Sequence, residues 1–169
     1  INNNTSIIDD LNEDCAIFLE QPLSESNFDL FQFVGIVSEK FKILYFKFHP
    51  RQIEQERTRI KEKLNQFNNI YFIENNNPIE SIIHELKPRY AISSFSASLR
   101  NLFFYGIEPV FLYHLSEMYN VDSMLENLDK YLKNMNYNFV ESYSDINKHY
   151  KSNLMRSEKK NSIRQLLEL

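Results

Sequence analysis

Five short apolar runs, at Cys15–Leu19, Lys42–Phe48, Ile70–Ile73, Tyr90–Ser93 and Glu108–Tyr113, alternate with segments whose apolar residues recur at helical spacing. A strand buried on both faces reads as a continuous apolar run, because neither face meets water. Runs of this kind, each ending in turn residues and followed by a helical pattern, are the signature of βαβ units. The chain is therefore expected to be α/β, a Rossmann-like parallel sheet with helices on both faces. Ser24 to Asn27 offer cap residues before Phe28, Leu30, Phe31, Val34 and Val37, which share one helical face. A charged helix is expected over Ile53–Phe67, a short one over Ile79–Leu86 begun by Pro78, and one over Ser96–Tyr105 closed by Gly106. Helical patterns over Asp122–Met135 and Asp145–Leu169 follow the last strand. Residues 1–14, rich in Asn and Asp without a period, read as a linker or frayed lead-in, and residues 15–169 as one domain with a helical tail.

Composition narrows the function. A chain of 169 residues suffices for one domain, and at that size folding buries roughly 70% of the surface of the unfolded chain. No apolar run approaches the 18 or so residues that cross a bilayer. With 19 basic against 23 acidic residues and a formal charge of −4, nothing suggests a nucleic-acid partner. The single cysteine, Cys15, excludes an internal disulfide and a cysteine-based zinc site, which fits a reducing compartment. Only two glycines occur, Gly35 and Gly106, so glycine-rich loops that cradle phosphate are absent. The chain begins at Ile1 with no charged-then-apolar leader, and is read as a piece of something longer.

In an open parallel sheet the site lies beyond the carboxyl ends of the strands. The loop after the second strand reads His49-Pro50-Arg51: a histidine held by the following proline can act as an acid near pH 7, next to a fixed positive charge, or can merely end a strand. The loop after the fourth strand, Ser93-Ser-Phe-Ser-Ala-Ser98, can bind phosphate through hydroxyls and free amides, or cap the next helix. Glu80 lies in a first helical turn, where it can accept from ribose hydroxyls or serve the helix dipole. After the first strand, Gln21-Pro22 leads to Glu25 and Asp29, each a candidate base or a solvated cap. His84, His114 and His149 rank lower, and no HxxxH or HExxH spacing supports a metal.

In order, the strand–Gln21-Pro22 opening, Phe46-Lys-Phe-His49-Pro50-Arg51, Asn77-Pro78-Ile-Glu80 and Ser94-Phe-Ser96-Ala-Ser98-Leu99 resemble bacterial sialyltransferases of the lipooligosaccharide type (glycosyltransferase family 52), with the capsule polysialyltransferases as relatives. The resemblance spans about Cys15 to Tyr113 and implies the C-terminal, nucleotide-sugar half of a two-domain GT-B fold, the acceptor domain lying elsewhere. It implies metal-independent, inverting transfer of sialic acid from CMP-sialic acid to a sugar hydroxyl of a bacterial lipooligosaccharide or capsule glycan, with no cofactor beyond the donor. On this likeness His49 and Pro50 match the family's HP pair, the histidine serving the departing phosphate. Glu80 falls where the family's acid meets the nucleotide, and Ser94, Ser96 and Ser98 where its serines meet phosphate. The family's adjacent serines are interrupted here by Ala97, which leaves the contacting serine open. The family's catalytic carboxylate precedes the HP pair, which on this likeness points to Asp29, with Glu25 as the alternative. A cytoplasmic enzyme, at most peripherally associated with the inner face of the inner membrane, is implied, and a homodimer is allowed for. The competing expectations are a non-catalytic nucleotide- or phosphate-binding module and a GT-B enzyme using a UDP-sugar.

Overall fold

The computed structural model describes residues 8, 10–21, 29–94, 96–115, 130, 138 and 139. Strands β1 (Asn12–Leu19), β2 (Ile43–Lys47), β3 (Ile70–Ile73), β4 (Pro88–Ser93), β5 (Glu108–Phe111) and β6 (Asn138–Phe139) form one sheet in the order β3-β2-β1-β4-β5-β6. Every pairing in it is parallel. Helices α1 (Leu30–Ser38), α2 (Glu54–Leu64), α3 (Ile83–Leu86) and α4 (Ala97–Phe103) connect the strands. This is the expected Rossmann-like α/β architecture.

The sheet separates two apolar layers, and the period-2 alternation of strand side chains divides each central strand between them. Ala16 and Phe18 of β1 and Tyr90 and Ile92 of β4 pack with Phe33, Val34 and Val37 of α1 and Ile60 and Leu64 of α2. Ile17, Leu19 and Ala91 turn the other way, against Ile83 of α3 and Leu99 and Leu102 of α4. Fully burying side chains such as Phe18, Phe33 and Phe46 contributes about 1.5–3 kcal/mol each. Gly35 lets α1 approach the turn after α2, since a Cβ there would lie 3.2 Å from the Phe67 ring. Gly106 adopts φ 84° after α4, as a helix-closing glycine should.

Several boundaries differ from the sequence reading. β1 starts at Asn12, inside the stretch read as a lead-in, because the Asn12 N–H joins the ladder by donating to Lys87 O at 2.8 Å. Ile8 is buried too, its N–H bonded to Tyr105 O at 3.0 Å. Arg89 draws in the exposed Glu13, 3.6 Å away, so polar residues extend the strand where no apolar run announces it. The cap of α1 is Asp29 and not a residue of Ser24–Asn27. The expected helix over Ile79–Leu86 is a 3-10 turn, Ile79–Ser81, followed by the one-turn α3. The last strand ends at Phe111, and β6 adds a sixth strand of two residues, too short to leave a sequence pattern. Of the expected helix over Asp122–Met135 only Lys130 is described, as helical. The segment Asp145–Leu169 lies outside the described residues, as do Glu25 and His149. No helix among the described residues is long and apolar enough to cross a membrane.

Candidate functional site

The winding of the sheet reverses between β1 and β4, with α1 packed on one face and α4 on the other, and it is at the carboxyl side of such a switch point that open α/β sheets bind ligands. Two bonds tie the strand ends together here. Ser93 Oγ donates to Leu19 O at 2.7 Å, tying the two strand ends together. The Glu20 N–H donates to Lys47 O at 2.9 Å, continuing the ladder between β1 and β2.

Glu20 is the first residue past β1 and is only 2% exposed. Its carboxylate accepts the His49 N–H at 2.9 Å, holding the start of the β2–α2 loop against the end of β1. The register that sets Phe18 beside Ile92 brings Glu20, two residues on, level with Ser94. Ser94 is buried, and its Oγ has no hydrogen-bond partner among the described residues.

His49 is half-buried at the end of β2, and Pro50 and Arg51, exposed, turn the chain away. The Arg51 N–H donates to His49 Nδ1 at 3.1 Å. That bond makes Nδ1 an acceptor and leaves the ring proton on Nε2, the nitrogen from which a neutral His49 donates.

Two cations stand behind this loop. Lys47 is buried and its ammonium donates to Asn75 O at 2.9 Å. Burial holds that ammonium below the usual lysine range, Arg57 adds to the depression, and Glu80 opposes it. Arg57 of α2 is also buried. Its guanidinium donates to Gln52 O at 3.1 Å, His49 O at 3.3 Å and Asn76 Oδ1 at 3.1 Å, and lies 5.5 Å from the centre of the Phe48 ring.

Glu80, Ser96, Ser98 and Asp29 lie on segments that follow the carboxyl ends of β3, β4 and β1, whereas His84 lies on the helix that leads into the start of β4. Glu80, half-buried in the 3-10 turn, accepts from Asn101 Nδ2 of α4 at 2.9 Å, and its charge reaches Lys47. Ser96 occupies the N-cap position of α4 without a side-chain cap bond, so capping does not engage its hydroxyl. Ser98 is half-buried in the first turn of that helix. Asp29 is exposed and caps α1, its Oδ1 accepting the Gln32 N–H at 3.0 Å. His84 is exposed on α3, edge-on to Tyr105 at 5.4 Å. Among the described residues no group of three His, Cys, Asp or Glu is placed to hold a metal ion.

Three residues of this region escaped the sequence reading: Glu20, Lys47 and Arg57. Glu20 carried a usable signal, an acid directly abutting an apolar strand where solvent should already begin. Lys47 had a weaker one, a charge inside an apolar run. Arg57 had none, because in Glu54–Leu64 it is one of many charges on what reads as a solvated helix.

A search of the curated proteins finds no match. Among solved structures, one of the wall teichoic acid polymerase TagF, soaked with CDPG, is similar with a TM-score of 0.43 and 13% identity, over 83% of this chain and 35% of that one. The chain thus spans about a third of the length of that polymerase. The family model described as alpha-2,8-polysialyltransferase matches residues 3–114, which contain the strand ends and loops described above. The chain belongs to the alpha-2,8-polysialyltransferase family, the group of sialyltransferases that its loops resemble through their capsule relatives.

Proposed function

We propose that this chain is the donor-binding half of a GT-B sialyltransferase that moves sialic acid from CMP-sialic acid to a sugar hydroxyl of a bacterial surface glycan, of capsule or lipooligosaccharide type, with inversion and without a metal. Family membership supports sialyl transfer. The observation that carries the assignment of roles is the setting of His49, its Nδ1 engaged by the Arg51 amide so that Nε2 carries the proton.

The reaction needs two services. As the bond from the anomeric carbon to the phosphate oxygen breaks, its electron pair leaves with CMP, and His49 donates to that phosphate. The acceptor oxygen bonds to the same carbon from the opposite face, and its proton passes to a carboxylate, Asp29 or Glu25. Of the three serines, Ser94 is the best phosphate contact, because its buried hydroxyl has no partner among the described residues and such a group costs about 1–3 kcal/mol unless a ligand satisfies it. Ser96 and Ser98 flank it, and Glu80 meets the nucleotide.

Titration calorimetry of the chain with CMP and UMP tests the reading. CMP is expected to bind more tightly, and Ser94→Ala to weaken it more than Ser96→Ala or Ser98→Ala, by about 1.5–3 kcal/mol for one charge-assisted bond. Tighter UMP binding points to a UDP-sugar enzyme, and binding of neither nucleotide removes the donor assignment.

A further inference from the structure

Arg57 is a buried cation whose three hydrogen-bond partners among the described residues are all neutral oxygens. The rigid fork of a guanidinium can hold several acceptors at once where an ammonium cannot. The acceptors here belong to two separate loops. His49 O and Gln52 O come from the loop after β2, and Asn76 Oδ1 from the loop after β3, two residues before Pro78 and four before Glu80. Lys47 reinforces the second loop by donating to Asn75 O. Phe48, stacked on Phe72 with ring centres 5.8 Å apart, supplies a flat surface 5.5 Å from the guanidinium.

We propose that Arg57 is a positioning residue, whose guanidinium joins the loop carrying His49 to the loop leading into Glu80 and so fixes the distance between the group on the leaving phosphate and the group on the nucleotide. The proposal rests on the roles given above to His49 and Glu80. Its consequence is that the two loops move as one: weakening the bridge displaces His49 relative to the bound donor and slows transfer without removing any group that touches it.

The test compares Arg57→Lys, Arg57→Met, Asn76→Ala and the double variant Arg57→Met/Asn76→Ala in the full-length enzyme, with His49→Ala as control. Turnover and hydrogen exchange are both measured. Arg57→Lys keeps the charge but cannot reach both loops, so kcat should fall by about 10- to 100-fold, more than KM for the donor changes. Asn76→Ala should show a smaller fall and add little to Arg57→Met, because both cut the same bridge. Amide exchange should quicken over residues 49–52 and 75–80 together in Arg57→Lys. Full turnover in Arg57→Lys, or faster exchange confined to residues 49–52, overturns the bridge. Arg57→Lys and Asn76→Ala carry the test if Arg57→Met fails to fold. If His49→Ala keeps its rate, the role of His49 fails instead, while the exchange pattern still decides whether Arg57 joins the loops.

Discussion

At His49 the neighbouring amide of Arg51 decides which ring nitrogen carries the proton of the neutral ring, and this gives the residue a direction in which to donate. His49→Ala should therefore lower kcat by about 10²- to 10⁴-fold with a smaller change in CMP affinity, since the help is greatest as charge develops on the leaving phosphate. Steady-state kinetics at saturating donor, with the melting point as a check on folding, measures this. Unchanged turnover in a folded variant removes His49 from the mechanism. Cys15 poses the opposite case, a buried thiol whose surroundings suppress its chemistry. Burial pushes it from an ordinary value of 9.0 up to about 12. The unfolded chain releases this proton above pH 9.0 while the folded chain retains it up to about pH 12, so stability is full below that window and falls within it. The slope is about 1.4 kcal/mol per pH unit. Denaturant unfolding across this window should show the wild type losing stability faster than Cys15→Ala, whose smaller side chain costs about 1 kcal/mol at neutral pH. Parallel pH curves for the two proteins exclude this origin.

Among the described elements, the single turn α3 has a correctable defect. It ends at Lys87 with φ 47°, a left-handed conformation that costs a residue with a Cβ roughly 1–2 kcal/mol. The conformation persists because Lys87 bonds in two directions. Its N–H donates to Ile83 O at 2.9 Å, and its carbonyl accepts the Asn12 N–H at the start of β1. Lys87→Gly keeps both backbone bonds and removes the steric penalty, so it should raise stability by roughly 0.5–1 kcal/mol, net of the greater freedom of the unfolded chain. Equilibrium urea unfolding reads the change, and a loss of stability means that the lysine side chain itself holds the turn. The loops at the carboxyl edge are ordered differently, by Glu20 and Arg57 reaching across from neighbouring elements.

At the scale of the whole molecule, an open parallel sheet offers a ligand site at its switch point, on the carboxyl side of its strands. On the GT-B reading the acceptor is held by a second domain facing that site. The 169-residue chain is accordingly expected to bind CMP yet transfer little or no sialic acid to a sugar acceptor such as lactose. A radiolabelled transfer assay with chain and full-length enzyme side by side checks this. Turnover by the chain alone would place the acceptor site on the sheet already described.

The sequence by itself determined the architecture, because strands buried on both faces must be apolar throughout and the helices between them must show one apolar stripe. Cys15–Leu19 and Tyr90–Ser93 carry that requirement openly, and the loops that bear His49, Glu80, Ser94 and Ser96 follow from where those runs stop. Strand ends built of polar residues, as at Asn12–Asp14, and the two-residue β6 escaped, since neither needs an apolar pattern to pair. Only the tertiary structure decided that Asp29 caps a helix, that Ser94 and not Ser96 is deeply buried, and that Glu20, Lys47 and Arg57 converge behind His49. Their partners lie on other strands and loops, and a hydrogen bond between residues distant in sequence leaves no trace in the local spacing of either.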